Sequence, residues 1–203
     1  AIIVQKDSSI KSVADLKGKK VVLNKGSNVH YLLVKALENA GLKYSDVETV
    51  FLAPADARAA FERGSVDAWV IWDPFLAAAK TSIGAKVLKD GTNTVNNHQF
   101  YLAEESYASK RADVVAIIFE ELKKVNDWAI SKPKEVANAL APLTGLDVVT
   151  LEKALSRGGY GINYLNNNVI TEQQKIADTF YDLKLIPKKI DIKSVVWLPE
   201  QKK

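Results

Sequence analysis

The 203-residue sequence contains no cysteine and no methionine. Without cysteine there is no disulfide, no zinc–thiolate or iron–sulfur site and no thiol nucleophile. Histidine is scarce too: only His30 and His98 occur, with no HExxH or HxH spacing, so no metal site is predicted. Neither a G-x-S-x-G elbow nor a GxxxxGK[ST] phosphate loop is present. No apolar run approaches the roughly 20 residues that a bilayer-crossing helix needs. An excess of one charge is also lacking. Lys plus Arg total 28 against 24 for Asp plus Glu, a net charge of +4. The cations lie among carboxylates without a stripe of interleaved aromatics, which excludes a nucleic-acid footprint. The acid pairs Glu104-Glu105 and Glu120-Glu121 diverge around a helix and read as solvated surface, not as an acid–base couple.

What remains is 47% hydrophobic, 26% charged and 8% aromatic, a composition that packs as an ordinary globular protein. At about 100–200 residues per domain, the length allows one or two domains. The chain opens on an apolar, strand-like run, Ile2-Ile3-Val4, with no leader pattern and no initiator Met before it. The expectation is a piece that starts inside a fold, any secretory signal having already gone.

Order along the chain is alternating. Ser12 with Asp15 forms a capping box, and Lys20–Leu23 reads as a buried strand. Val29, Leu32, Leu33, Leu37 and Ala40 recur at helical spacing and stop at Gly41. Val47–Leu52 is a second strand, and Pro54 opens a helix that Gly64 closes. A third strand, Val66–Trp72, runs into Asp73-Pro74, an N-cap and first-turn proline for the next helix. Ala85–Leu88 is a fourth strand. Strands and helices in alternation predict a parallel sheet wrapped by helices. A polar stretch, Thr92–Asn97, then precedes a predicted strand at His98–Ala103. The rest turns helical: Asp113–Ile130, Pro133–Ala141, Asp147–Arg157, and Thr171–Leu183 with a capping box in Thr171 and Gln174. Ile190–Leu198 is an apolar extended tail.

Several stretches carry a resemblance. Ser12-Val13-Ala14-Asp15-Leu16-Lys17-Gly18-Lys19-Lys20-Val21 resembles the segment that opens the second lobe of type II periplasmic substrate-binding proteins. Lys25-Gly26-Ser27-Asn28-Val29-His30, the stretch from Ala53 to Phe61, Asp67–Pro74 and Ile186–Asp191 together resemble the aliphatic-sulfonate-binding proteins of bacterial ABC importers. The resemblance runs over essentially the whole chain. It implies an α/β, two-lobed type II periplasmic-binding-protein fold with lobe two complete in residues 13–91. Residues 1–12 and 92–203 would then be an incomplete lobe one, lacking roughly the N-terminal third. Hinges are expected near Ser9–Lys11 and Thr92–His98. The implied function is the extracytoplasmic solute-binding component of an importer, in the periplasm or at the outer face of the cytoplasmic membrane, free or as a lipoprotein. It would capture a small organic anion such as an alkanesulfonate or taurine and deliver it to a permease and its ATPase. No cofactor and no catalysis are implied.

A sulfonate is a tetrahedral anion at every physiological pH, so holding it takes donors rather than a catalytic proton. Helix N-termini supply them, because the first N–H groups lack partners and the dipole is positive there. Gly26, Ser27 and Asn28 stand at such a place, although Ser27 or Asn28 equally suits a plain helix cap. Trp72 offers apolar area for an organic tail. Asp73, which would repel an anion, fits better as an N-cap. Pro54 and Ala55 begin a helix at a third strand end and could line the same cleft. Arg157 and Tyr160 match a segment near the cleft; Arg157 could pair with the anion or stand as a solvated helix-end cation.

Other readings share this fold. Nitrate or a pyrimidine precursor could replace the sulfonate, and a regulator's effector domain or an enzyme could be built on the same lobes. The enzymes of this plan depend on cysteine, which this chain lacks. The helices from Asp113 onward carry apolar residues such as Val114, Ile117, Ile118, Leu122 and Val125 with little sheet to cover. Self-association or a retained N-terminal fragment is therefore expected.

Overall fold

The structure, a computed structural model, describes residues 1–199 as two compact units. The first comprises Ala1–Asn97 with Ala137–Arg157, and the second comprises His98–Val136 with Gly158–Lys203, described to Pro199.

A five-stranded sheet organises the first unit. Its strands are β1 (Ile2–Val4), β2 (Lys20–Leu23), β3 (Glu48–Phe51), β4 (Ala68–Val70) and β5 (Lys86–Lys89), in the order β3-β2-β4-β1-β5. β3, β2 and β4 are parallel, and β1 lies antiparallel between β4 and β5. Helices α1 (Asn28–Asn39), α2 (Pro54–Glu62) and α3 (Phe75–Ser82) connect them. Alternation along each strand sends side chains to opposite faces. Ile2, Val4, Val21, Leu23, Ala68 and Val70 meet α1 on one face. Ile3, Val22, Trp69 and Ile71 meet Phe61 of α2 and Leu76 of α3 on the other. A sheet buried on both sides explains why these strands read as continuous apolar runs.

Two features of this unit differ from the sequence expectation. Residues 1–12, grouped above with the second half of the chain, supply β1 to the middle of this sheet, where Ile2 and Ile3 are wholly buried. Nothing local in a three-residue apolar run names its partner strands. The segment from Ala137 to Arg157 also belongs here. Of the helices α4 (Glu105–Lys110), α5 (Ala112–Ser131), α6 (Pro133–Thr144) and α7 (Val148–Leu155), it is α7 that packs on α3. Buried Thr150 and Leu151 lie at that contact, and Thr81 Oγ1 meets Thr150 Oγ1 at 3.3 Å.

The second unit contains α4, α5 and α8 (Asn167–Asp182) and no strand among the described residues. The predicted strand at His98–Ala103 is extended coil with Leu102 93% exposed, since no neighbouring strand accepts its backbone. α8 starts a turn before the predicted capping box. Asn166 is its N-cap, accepting from the Val169 N–H at 3.0 Å, and Thr171 donates to the Asn167 carbonyl. Gln174 bonds Ile190 O at 2.8 Å and accepts from Ile192 N at 2.9 Å, which curls the predicted extended tail into a 3-10 turn at Ile192–Val195. No helix among the described residues is long and apolar enough to cross a membrane.

Candidate functional site

Strand order places the site. From β2 the chain crosses through α1 on one face to β3, and from β3 through α2 on the other face to β4. β2 and β4 are parallel neighbours, with Val22 beside Trp69, yet their following helices leave to opposite faces. Their carboxyl ends therefore mark a topological switch point, the place where open α/β sheets bind ligands. The loop after β2 holds Gly26, Ser27 and Asn28, and the loop after β4 holds Trp72 and Asp73. Pro54 and Ala55 begin α2 after β3, on the same edge of the sheet.

The first loop is built from both sides. Gly26 has φ +73°, the left-handed region where glycine is favoured, and its N–H donates to His30 Nδ1 at 3.1 Å. Ser27 is the N-cap of α1, but its hydroxyl does not bond the helix; it donates back to the Asn24 carbonyl at 2.7 Å. The opening N–H groups of α1 thus receive no side-chain cap from it. Asn28 Nδ2 donates to Asn97 Oδ1 at 3.0 Å. Lys25 rides over the Phe51 ring at 5.6 Å, which adds a cation beside the loop.

His30 is the residue that sequence reasoning passed over. It is fully buried, Nε2 lies 2.7 Å from the Tyr44 hydroxyl, and that hydroxyl donates to Thr49 Oγ1 at 3.3 Å. Burial first, then the charge of Lys25, lowers its pKa from 6.5 to about 4, so the ring is neutral near pH 7. The available signal was positional. His30 is the third residue of α1, where a side chain reaches back to the turn before the helix.

Asp73 and Arg157 come together across 84 positions. Arg157 Nε and Nη2 donate to the two carboxylate oxygens at 2.8 and 2.7 Å. The Asp73 carboxylate also accepts from the Ala77 N–H at 3.0 Å. Asp73 thus serves the start of α3 from one residue outside the expected position, since α3 begins at Phe75 with Pro74 as its N-cap. Arg157, expected to be a helix-end cation or an anion ligand, has a carboxylate as its partner; this pairing raises its pKa further and offsets the repulsion that Asp73 alone would exert. Trp72 is half-buried, touches both cores and meets the Phe75 ring edge-on at 6.4 Å. Tyr160 belongs to the second unit, in a loop where the Gly161 N–H donates to Asn126 Oδ1. No group of three metal-ligating side chains occurs among the described residues.

Comparison with known proteins bears on the family and the fold. The family described as NMT1/THI5 like matches residues 1–137. An Escherichia coli (strain K12) protein named for binding aliphatic sulfonates is 42% identical over 201 residues, 98% of this chain and 63% of that relative. The crystal structure of the periplasmic aliphatic sulphonate binding protein SsuA from Escherichia coli superposes with a TM-score of 0.93 at 42% identity, covering all of this chain and 66% of that one. The alkanesulfonate-binding protein SsuA from Xanthomonas axonopodis pv. citri, solved bound to MOPS, gives 0.89 at 34% identity over 97% of this chain and 68% of its own. The fold is the α/β fold of these binding proteins. The chain spans somewhat under two thirds of the Escherichia coli relative it matches.

Proposed function

Because the chain belongs to the NMT1/THI5-like family, we propose that it forms the solute-binding component of an ABC importer and holds an aliphatic sulfonate at the carboxyl edge of its sheet. The observation that carries the reading is the switch point between β2 and β4. There the uncapped start of α1 follows a glycine in the left-handed conformation, and Trp72 stands at the neighbouring strand end. N–H groups at a helix start bind an ionised tetrahedral oxyanion without a counter-proton. Trp72 supplies apolar surface for the organic tail, and Arg157, two of whose N–H donors are given to Asp73, keeps the neighbourhood from being acidic. Pro54 and Ala55 line the same edge through their backbone.

This is capture and delivery, not catalysis. The protein works outside the cytoplasmic membrane, free or lipid-anchored, and passes its ligand to a membrane permease driven by an ATPase. Closure of two lobes about the ligand is the signal that the permease reads.

Titration calorimetry with methane- to octanesulfonate tests the reading. Affinity should rise with chain length by up to about 0.8 kcal/mol for each methylene fully buried, and Trp72→Ala should flatten that rise. The ligand draws the Ser27 hydroxyl from the Asn24 carbonyl and the Asn28 amide from Asn97, so the double variant Ser27→Ala/Asn28→Ala should weaken every member of the series alike, by at most about 1.5–3 kcal/mol per charge-assisted bond lost. Unchanged affinity in the double variant with a lower Tm would leave both residues as loop supports only.

A further inference from the structure

A residue in the third position of a helix commonly reaches back to the N-cap backbone, and that residue is usually Glu or Gln. Here the third position is His30, and its Nδ1 reaches one residue further, to the Gly26 N–H. Accepting a backbone N–H at Nδ1 fixes the neutral tautomer with its proton on Nε2. Nε2 then donates to Tyr44, and Tyr44 donates to Thr49 on β3. The imidazole is held between the rings of Tyr44 and Phe51, at centroid separations of 5.3 and 5.5 Å. A chain of donors thus runs from the body of the sheet unit to an exposed loop amide. Space does not demand glycine at 26, since an added Cβ would meet nothing within 4 Å; the positive φ does.

The choice of acceptor carries the argument. A glutamate at position 30 could hold the same N–H, but it would set a negative charge against the loop where an anion is to dock. A neutral imidazole holds the N–H and adds no charge. The Tyr44 hydroxyl at Nε2 and the cation of Lys25, over the Phe51 ring, lie beside it, and the Lys25 charge disfavours a protonated ring.

We propose that His30 is the positioning residue of the anion loop: through Nδ1 it fixes Gly26, and with it Lys25–Asn28, in the shape that turns the first N–H groups of α1 toward an anion without placing a negative charge beside it. The proposal rests on the reading of this loop as the sulfonate site, and its test separates the two.

The test uses the ¹⁵N-labelled chain. The ring ¹⁵N shifts of His30 should show Nδ1 unprotonated, and the Gly26 amide should exchange with solvent far more slowly than other exposed loop amides. His30→Asn keeps an acceptor near the Nδ1 position, whereas His30→Leu fills a similar space with no acceptor. The Gly26 amide should stay protected in the Asn variant and exchange about tenfold faster in the Leu variant, with ethanesulfonate affinity following the same order. A protonated Nδ1, or a Gly26 amide that exchanges in wild type as an open loop amide does, overturns the proposal even if neither variant folds. Equal Gly26 exchange in wild type and a folded His30→Leu chain also overturns it. A protected Gly26 amide in a wild-type chain that binds no ethanesulfonate contradicts the sulfonate reading and leaves the His30–Gly26 anchor standing.

Discussion

Helix α1 buries seven of its twelve residues, whereas α5, with twenty, buries none. Both carry apolar residues at helical spacing, so periodicity alone does not separate them. The difference lies in what each faces. α1 lies on a sheet whose strands present Ile2, Val21, Leu23 and Val70 to it. In α5, Ile117 is 62% and Val125 55% exposed. Beyond its own backbone ladder α5 is held by a few surface contacts: the Phe119–Tyr164 ring stack at 4.1 Å, the Gly161 N–H on Asn126, and i,i+3 ion pairs such as Lys124–Glu121 at 2.6 Å, which add little when exposed. Amphipathic pattern makes a helix, but burial against a sheet makes it stable. Stability is therefore concentrated in the unit that carries the candidate site, and the second unit should open first.

The largest effect expected from this contrast is in core truncation. Phe61→Ala, in the sheet unit beside Trp69, should cost about 3–5 kcal/mol in urea denaturation. Ile117→Ala on α5 should stay within about 0.5 kcal/mol. A loss at Ile117 rivalling that at Phe61 would show the α5 face packed in solution, and light scattering would then report self-association.

Next comes pH. Below 6.5 the unfolded chain protonates residue 30, whereas the folded chain resists until about pH 4. The unfolded state binds more protons across that window, so stability falls as pH falls from 6.5 to 4 and levels off below. At about 1.4 kcal/mol per pH unit across that window the loss is on the order of 3–3.5 kcal/mol. His30→Asn should flatten the slope in a series of denaturation curves. An unaltered slope would assign it to other groups.

Much of this contrast was legible in the sequence, and the unread parts share one cause. Strand β2, helices α1 and α2 and the loop between β2 and α1 follow from caps, glycines and period, all local signals. The β1 placement, the Asp73–Arg157 pair and the Asn28–Asn97 contact depend on residues that only the fold brings together. His98–Ala103 shows the converse: a strand-like pattern stays coil when no strand lies beside it. The α8 start predicted at Thr171 is a turn late, because Asn166 is itself the cap. His30 went unread because the work it does lies in its reach across a loop, which composition does not reveal.

Smaller effects sharpen the account within the sheet unit. Arg157→Ala removes a bidentate pair that is only partly shielded, at 37% and 23% side-chain exposure. Its loss should cost about 1 kcal/mol and should weaken with added salt. Ser27→Ala removes one bond to the Asn24 carbonyl and should cost about 0.5–1 kcal/mol, with α1 intact because Ser27 does not cap it.

The most direct test of the central claim is a backbone amide shift titration of the chain with ethanesulfonate, with sodium chloride at equal ionic strength as the control. The account predicts saturable shifts at Gly26, Ser27, Asn28 and Val29 and at the Trp72 indole, absent with chloride. Shifts that match the chloride control, or that spread over surface lysines and spare the loop after β2, would contradict it.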